Sequence, residues 1–180
     1  MILFSESKGC IPTRAGENLQ IPKNVYVSAT VSSYLDDKNL NDFYRAFTKR
    51  GRKLLLADQY KVYMSQKAES LYLNTDTEVI YIPGQCTKYL QPLNSIVMSC
   101  FKRRSEKHRI DMQLEMISNR SKNGNIKPMT RQALISIISK SWKEVPKEMV
   151  RKSFELTGVY DSDHPSFMSH QPQLKAYLRK

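Results

Sequence analysis

The chain has 180 residues, of which 40% are hydrophobic and 26% charged, a composition typical of one soluble globular domain. No stretch comes near about 18 uncharged apolar residues, so the sequence does not support a membrane-spanning helix. Residues 1–10 have no basic segment followed by a long apolar run, so we expect no secretory signal. The few cysteines favour a reducing compartment over a disulfide framework or a zinc site; they are Cys10, Cys86 and Cys100.

The net charge of +12 is concentrated in one part of the chain. Residues 101–152 contain 14 Lys and Arg against 5 Asp and Glu, whereas residues 1–100 contain 12 against 9 and residues 153–180 contain 3 against 3. A basic block of this kind attracts phosphate backbones and is typical of proteins that bind nucleic acid. Composition alone is explained equally well by a solvated helix face with an ordinary basic bias.

The first third of the chain predicts two strands and a helix. The apolar run at residues 2–4 has the length of a truncated strand, and residues 24–33 alternate small apolar with polar and tyrosine side chains, which predicts a half-buried strand. Asp36 or Asp37 can then cap a helix with one apolar face, which ends in the basic turn at residues 49–52. The residues of that face are Leu40, Phe43, Tyr44 and Phe47.

The next segment predicts a parallel strand–helix–strand unit. A leucine run at residues 54–56, which stops before Asp58, indicates a strand buried on both faces of a sheet. Ser65 can cap a helix that reaches about Leu73, and a second apolar run at residues 79–82 ends at a Pro-Gly pair. Because the helix provides the crossover between parallel strands, we expect Asp58 at the carboxyl edge of the sheet, where open α/β sheets carry their chemistry.

The rest of the chain predicts three helices and a flexible end. One helix follows Asn94, Thr130 opens a second, and Pro146 opens a third, which stops at Gly158. Residues 161–180 show little periodicity and predict a tail, whose two histidines lack the compact ligand set of a metal site. The second helix is expected to bury one face, formed by Leu134, Ile137, Ile138, Ser141 and Trp142.

Three stretches resemble the DDE domain of the pogo and Tigger transposases, a family that includes centromere protein B and the jerky proteins. Residues 79–102, VIYIPGQCTKYLQPLNSIVMSCFK, follow the family order of apolar strand, Pro-Gly pair, threonine and a Gln-Pro-Leu segment that opens a helix. Residues 53–60, KLLLADQY, are similar to the preceding family strand. Residues 141–159, SWKEVPKEMVRKSFELTGV, are similar to a later part of the family.

The resemblance implies a fold and a set of site residues. The implied fold is α/β, with an incomplete RNase H-like sheet of the DDE integrase and transposase type, flanked by helices, and a helical C-terminal extension. Asp58 matches the second catalytic Asp of the family, and Asn94 stands where the family has its third. The strand with the first Asp has no counterpart here, so we expect residues 1–157 to be a DDE domain shortened at its N-terminus and residues 158–180 to be a flexible tail.

The resemblance also implies two-metal chemistry in active members of the family. There, carboxylates hold two Mg²⁺ ions that clamp the attacking and leaving oxygens of a phosphodiester. Asp58 beside the neutral amide of Asn94 does not balance the charge of two such ions, so we expect no metal or other cofactor here, and we expect Asp58 to be vestigial. Tyr63 is a smaller departure, because family members often have His near that position.

Together these features predict a nuclear DNA-binding protein derived from a transposase, without strand-cleavage activity. The expected partner is nucleic acid, duplex DNA in particular, and no membrane. Two alternatives stay open: an active DDE endonuclease whose first Asp lies in upstream sequence, or an inert remnant that interacts with a protein partner. The phosphate contacts are expected from one cluster of cations, namely Lys102, Arg103, Arg104, Lys107 and Arg109.

Overall fold

A computed structural model describes residues 2–5, 18–32, 34–47, 51–118, 128–159 and 165–170. The described strands are β1 (Ile2–Ser5), β2 (Val27–Thr30), β3 (Lys53–Asp58) and β4 (Thr77–Ile82). The described helices are α1 (Asp37–Phe47), α2 (Gln66–Asn74), α3 (Thr87–Leu90), α4 (Met98–Ser118), α5 (Arg131–Lys143), α6 (Lys147–Leu156) and α7 (Pro165–His170). A 3₁₀ turn (Lys61–Met64) follows β3, and a π-helix (Leu93–Val97) precedes α4. Among these helices, none has both the length and the apolar character that crossing a membrane requires.

The four described strands form two separate parallel pairs. In one pair Ile2 of β1 lies opposite Val27 of β2, and in the other Lys53 of β3 lies opposite Thr77 of β4. The predicted parallel strand–helix–strand unit, with α2 as its crossover, is therefore confirmed. A mixed α/β architecture is also confirmed, whereas the expected single sheet is not seen, because the described strands leave the two pairs unjoined.

Strand β2 is shorter than the alternating pattern of residues 24–33 predicts. Ala29 and Thr30 are both buried and Val31 is exposed, so the alternation between a buried and a solvent-facing side fails where the strand ends. The chain leaves the strand at this point and turns toward α1. Ser28 and Asn39 are joined by a side-chain hydrogen bond that ties β2 to α1.

Helix starts are found where the capping residues of the sequence predict them. Oδ1 of Asp36 accepts a hydrogen bond from the backbone N–H of Asn39 at 2.9 Å, which selects Asp36 over Asp37 as the cap of α1. The hydroxyls of Ser65 and Thr130 likewise accept from the backbone N–H three residues on, at 3.2 and 3.1 Å, and cap α2 and α5. The first half of the basic turn predicted at residues 49–52 lies outside the described residues, which resume at Gly51.

Helices α1 and α2 form a core on one face of the β3–β4 pair. The fully or largely buried members of this core are Leu40 and Tyr44 of α1 and Ala68 and Tyr72 of α2. The rings of Tyr44 and Tyr72 lie 5.4 Å apart in a tilted arrangement, which is a favourable geometry for an aromatic pair. These apolar positions follow the helical spacing that the sequence shows, so this part of the core was predictable.

The opposite face of the β3–β4 pair is open in the described structure. Leu55 and Val79 pack against the core, whereas Leu54 is 54% exposed and Ile80 is 48% exposed. The prediction that the leucine run is buried on both faces is therefore wrong. It fails because the core formed by α1 and α2 lies on the Leu55 side, and no described helix covers the other side to the same extent.

Helix α5 buries Ile137 and Ser141 of the predicted face, but Ile135 and Ser139 are buried in place of Leu134 and Trp142. Asn24 explains the difference, since its Oδ1 accepts from the Ser139 hydroxyl at 2.8 Å and its Nδ2 donates to the Ser139 carbonyl at 3.1 Å. This polar contact turns the serine side of the helix inward, which a hydrophobic pattern does not reveal. Trp142, expected in the core, lies exposed with its ring 5.7 Å from that of Phe101. The buried residues of α5 are Ile135, Ile137, Ser139 and Ser141.

Helix α6 ends as predicted, and a short helix follows it. Gly158 has a φ of +69°, the left-handed conformation that commonly ends a helix. A Cβ at Gly158 would lie 3.2 Å from the ring of Phe167, which is buried. Helix α7 therefore lies within the segment for which the sequence predicts a flexible tail, while residues 171–180 lie outside the described residues. The division of the chain into residues 1–157 and 158–180 stays a prediction.

Candidate active site and nucleic-acid interface

Asp58 is the last residue of β3 and lies opposite Ile82, the last residue of β4. Its side-chain oxygen Oδ1 is shielded from solvent and has no hydrogen-bond partner in the described structure. A buried carboxylate oxygen without a partner costs free energy, because it has lost water without gaining a donor. The structure thus places Asp58 at the carboxyl edge of a parallel pair, as the sequence predicts.

Tyr63 is a neighbour of this carboxylate and belongs to the 3₁₀ turn after β3. Burial and, to a smaller extent, the negative charge of Asp58 raise the pKa of the Tyr63 hydroxyl above its ordinary value. The backbone carbonyl of Tyr63 accepts hydrogen bonds from the hydroxyls of Tyr72 at 3.2 Å and Tyr81 at 2.8 Å. A protonated phenol, held by contacts with α2 and β4, therefore stands beside Asp58.

The segments that follow β3 and β4 approach each other at the same edge. A Cβ on Gly84 would lie 3.5 Å from Oε1 of Gln59, the residue after Asp58. Gln85 has a φ of 65°, a left-handed conformation that turns the chain from β4 toward α3. The Pro-Gly pair of the sequence motif is thus placed next to the end of β3.

Asn94 lies in the π-helix that precedes α4. Such π-helical turns are rare and are found frequently at functional sites. The side chain is exposed, its Nδ2 donates to Oε1 of Gln91, and its backbone N–H donates to the Gln91 carbonyl at 3.0 Å. No hydrogen bond among the described residues joins Asn94 to Asp58.

Helix α4 carries all five cations for which the sequence predicts phosphate contacts. Lys102, Arg103 and Lys107 are exposed and form no ion pair within the described part of the chain. Arg109 instead donates from Nε to Oε2 of Glu106 at 2.7 Å, one turn earlier on the same helix. Three of the five cations are therefore free to meet a phosphate, and Arg109 reaches one only by leaving Glu106.

Arg104 is directed toward α5 rather than toward solvent. Its Nη1 lies 3.5 Å from Oε2 of Glu144, and Nε2 of His108 hydrogen-bonds Oε1 of the same carboxylate at 2.9 Å. The hydrogen bond from His108 is the largest cause that holds the pKa of Glu144 below its ordinary value, and the charge of Arg104 adds to it. These contacts join α4 to the end of α5. Sequence reasoning missed them, although the i, i+4 spacing of Arg104 and His108 places both on one face.

Comparison with protein families identifies the chain. The family model described as DDE superfamily endonuclease matches residues 10–154, a range that contains Asp58, Asn94 and all of α4. The chain belongs to the DDE superfamily endonuclease family. It is therefore a transposase-related protein of the nuclease type. A search of curated proteins and a search of solved structures each return no significant match.

Among the described residues, the oxygen ligands offered by Asp58 and Asn94 do not fit the two Mg²⁺ ions that the sequence resemblance implies. Within the described ranges, no group of three or more His, Cys, Asp and Glu side chains converges on a common point. Asp58 has a buried oxygen without a partner, but Asn94 offers a neutral amide oxygen. Since Mg²⁺ is held by hard, mostly anionic oxygens, one carboxylate and one amide do not hold a pair of these ions.

Proposed function

We propose that this DDE superfamily endonuclease domain binds duplex DNA through helix α4 and does not cleave it. We further propose descent from a pogo- or Tigger-like transposase with an RNase H-like fold. The motifs at residues 53–60 and 79–102 support this lineage. The parallel pair of β3 and β4, with Asp58 at its carboxyl edge, is compatible with it.

The observation that carries the absence of cleavage is the identity of residue 94. Asn94 preserves the size of Asp but replaces a negative oxygen with a neutral amide, and Gln91 already engages that amide. Two divalent ions carry about four positive charges, and a metal pair is stable only where carboxylates and substrate phosphate compensate them. Asp58 alone supplies too little negative charge for that arrangement.

The free cations of α4 support DNA binding. Lys102, Arg103 and Lys107 lie within two turns of one helix and are not engaged by described acids. Three phosphate contacts would release about three counterions, which corresponds to a slope of about −2.7 for the logarithm of affinity against that of salt concentration. Raising salt from about 50 to about 200 mM should then weaken binding about 40-fold. Binding of this kind is largely independent of DNA sequence.

Fluorescence anisotropy with a labelled DNA duplex tests this proposal. A variant with Lys102, Arg103 and Lys107 changed to Ala should bind at least about tenfold more weakly at low salt and lose most of the salt dependence. A matched control with Lys23, Lys38 and Lys61 changed to Ala removes the same charge from other elements and should retain the slope. Equal weakening by both variants, or no binding by the original chain at low salt, would show that the proposal is wrong.

One observation favours an active endonuclease as the second candidate. The buried oxygen of Asp58 has no described hydrogen-bond donor, a state that proteins commonly retain where a ligand completes the site. Titration of the protein with Mn²⁺ separates the two candidates. Binding is measured as the loss of the electron paramagnetic resonance signal of the free ion. If the original chain binds Mn²⁺ and the Asp58→Ala variant does not, the endonuclease is supported. Equal free-ion signals for the original chain and the variant would favour the non-cleaving protein.

We also propose that the protein acts in the nucleus, where duplex DNA is available. Basic runs at residues 49–53 and 102–104 support this location but are short. Imaging of a fluorescent fusion of the full chain tests it. The fusion should accumulate in the nucleus, and exclusion from the nucleus would contradict the proposal.

A further inference from the structure

One face of helix α4 carries a continuous stripe of side chains, which we call the α4 stripe. Its members are separated by four, four, three, four and three residues, the spacing that places side chains on one line along a helix. The stripe is about 27 Å long at the rise of an α-helix. Its residues are Ser99, Arg103, Lys107, Ile110, Leu114 and Ile117.

The C-terminal half of the α4 stripe exposes apolar side chains. Ile110 is 45% exposed, Leu114 is 57% exposed and Ile117 is 38% exposed. Single exposed apolar residues are ordinary on protein surfaces, but three in a line on one helix face form a patch. An amphipathic helix normally turns such a face toward another element, so this face is suited to a partner.

The N-terminal half of the α4 stripe borders a groove between α4 and α6 with a volume of about 780 Å³. Its apolar lining includes Ile96, Met149 and Leu156, and its charged lining consists of Arg103, Lys152 and Glu148. Methionine suits a binding groove because its flexible side chain adapts to different apolar partners. Groove and stripe share Arg103 and the same side of α4, so together they form one elongated surface.

The charges of this surface decide between the ligands that could cover it. Arg103, Lys107 and Lys152 are exposed and have no described ion pair, whereas the exposed Glu148 of the groove opposes them. Glu106, which lies beside the α4 stripe, is engaged by Arg109. A second copy of the chain would therefore bring two surfaces of net positive charge together, with only Glu148 on each side as a described acid of the groove, which costs free energy. A phosphate backbone would satisfy the cations but would gain little from Leu114 and its apolar neighbours. Only an apolar segment with acidic residues satisfies both halves.

We propose that the α4 stripe and its adjoining groove bind an acidic amphipathic helix of a partner protein. Apolar side chains of that helix would pack on Ile110, Leu114 and Ile117 and in the groove, and its acidic residues would pair with Arg103 and Lys107. This interface goes beyond DNA binding. Because it uses two of the cations proposed for phosphate contacts, the helix and DNA compete for the protein.

Fluorescence anisotropy with a designed peptide tests the interface on the full chain. The probe is a labelled helical peptide of about 20 residues, with leucines along one face and glutamates between them. Binding should weaken at least about tenfold in Leu114→Ser, through loss of apolar contact, and in Arg103→Ala, through loss of a charge pair. Leu73→Ser, which changes another exposed leucine on α2, should leave affinity unchanged.

The results that would overturn the interface are distinct from those that bear on DNA binding. Equal affinity for a probe with lysines in place of the glutamates would exclude charge pairing. If the original chain forms a dimer and the Leu114→Ser variant does not, the surface would be assigned to a second copy. Because Leu114 is not a phosphate contact, Leu114→Ser should bind duplex DNA as the original chain does; loss of DNA binding in this variant would assign the stripe to nucleic acid. Retained far-ultraviolet circular dichroism confirms that each variant is folded.

Discussion

Asp58 keeps a negative group at a position where the described structure does not compensate it. The shielded Oδ1 has no donor in the described structure, and its negative charge helps to keep the phenol of the neighbouring Tyr63 protonated by raising its pKa. An uncompensated polar atom is commonly a remnant of chemistry or an active part of it. The neutral Asn94 favours the first interpretation, in agreement with our proposal that this domain does not cleave DNA.

Removal of the Asp58 carboxylate should therefore stabilise the fold. We expect Asp58→Ala to raise the free energy of unfolding by about 1 kcal/mol, because the buried oxygen without a partner disappears. Urea denaturation followed by circular dichroism measures this change. The exposed Asp111 of α4 provides the control, and Asp111→Ala should shift stability by less than about 0.5 kcal/mol. A clear loss of stability in Asp58→Ala would mean that the carboxylate has a structural partner.

Glu144 should make stability depend on pH in the acid range. Its folded-state pKa lies below the ordinary value of 4.5, with the hydrogen bond from His108 as the largest cause, so the ionised carboxylate favours the folded state. This contribution is fully present above about pH 4.5 and is lost as pH falls through the lower folded-state pKa.

The variant Glu144→Gln tests this pH dependence, since it removes the titrating group. It should be less stable than the original chain at pH 6, and the difference should narrow below about pH 4.5, as measured by urea midpoints at each pH. Glu115→Gln, at an exposed acid on α4, should show no such narrowing. If the stability difference between Glu144→Gln and the original chain stayed constant from about pH 6 to below about pH 4.5, the proposed coupling between Glu144 ionisation and folding would be contradicted.

At the scale of single helices and strands, features that depend on residues close in sequence are predicted better than contacts between residues distant in sequence. The caps at Asp36, Ser65 and Thr130 are formed as the sequence indicates, because each depends on atoms only three residues apart. Ile137 and Ser141 of α5 are buried as predicted, but the burial of Ser139 was not predictable, because it depends on Asn24, which is distant in sequence. The ion pairs of Arg104 and Arg109 escaped prediction for a related reason: charge counts do not reveal which cations an acid already engages.

The N-cap of α2 should make a measurable contribution to the free energy of unfolding. In Ser65→Ala the backbone N–H of Ala68 loses its acceptor, and we expect the free energy of unfolding to fall by about 1 kcal/mol. Ser70→Ala changes an exposed serine within the same helix and should be neutral or slightly stabilising, because Ala has the higher helix propensity. Similar losses in both variants would show that capping is not the cause.

At the scale of the whole molecule, the β3–β4 pair has one covered and one open face. Parallel strands are usually covered on both sides, so Leu54 and Ile80 present an unusual apolar surface. The sequence indicates the strands correctly, since their residue types depend on local preference. The sequence does not indicate which face of the strand pair is covered, because the leucine run at residues 54–56 places apolar side chains on both faces.

A charge on the open face should reduce self-association without unfolding the protein. We expect Leu54→Lys to change the free energy of unfolding by less than about 0.5 kcal/mol and to lower light scattering at high protein concentration. Leu55→Lys, on the covered face, should unfold the domain or destabilise it strongly, since Leu55 packs on the core. A loss of more than about 2 kcal/mol in Leu54→Lys would mean that this face is covered as well.

A supercoiled plasmid, incubated with the full chain at low salt and with Mg²⁺, reports DNA binding and cleavage in one experiment. Native electrophoresis shows whether the protein holds the plasmid, and digestion of the protein before a second gel shows whether the DNA is intact. We expect retarded migration in the first gel and fully supercoiled plasmid in the second. Nicked or linear plasmid that is absent with Asp58→Ala, or no retardation at all, would contradict the proposal that this domain binds DNA without cutting it.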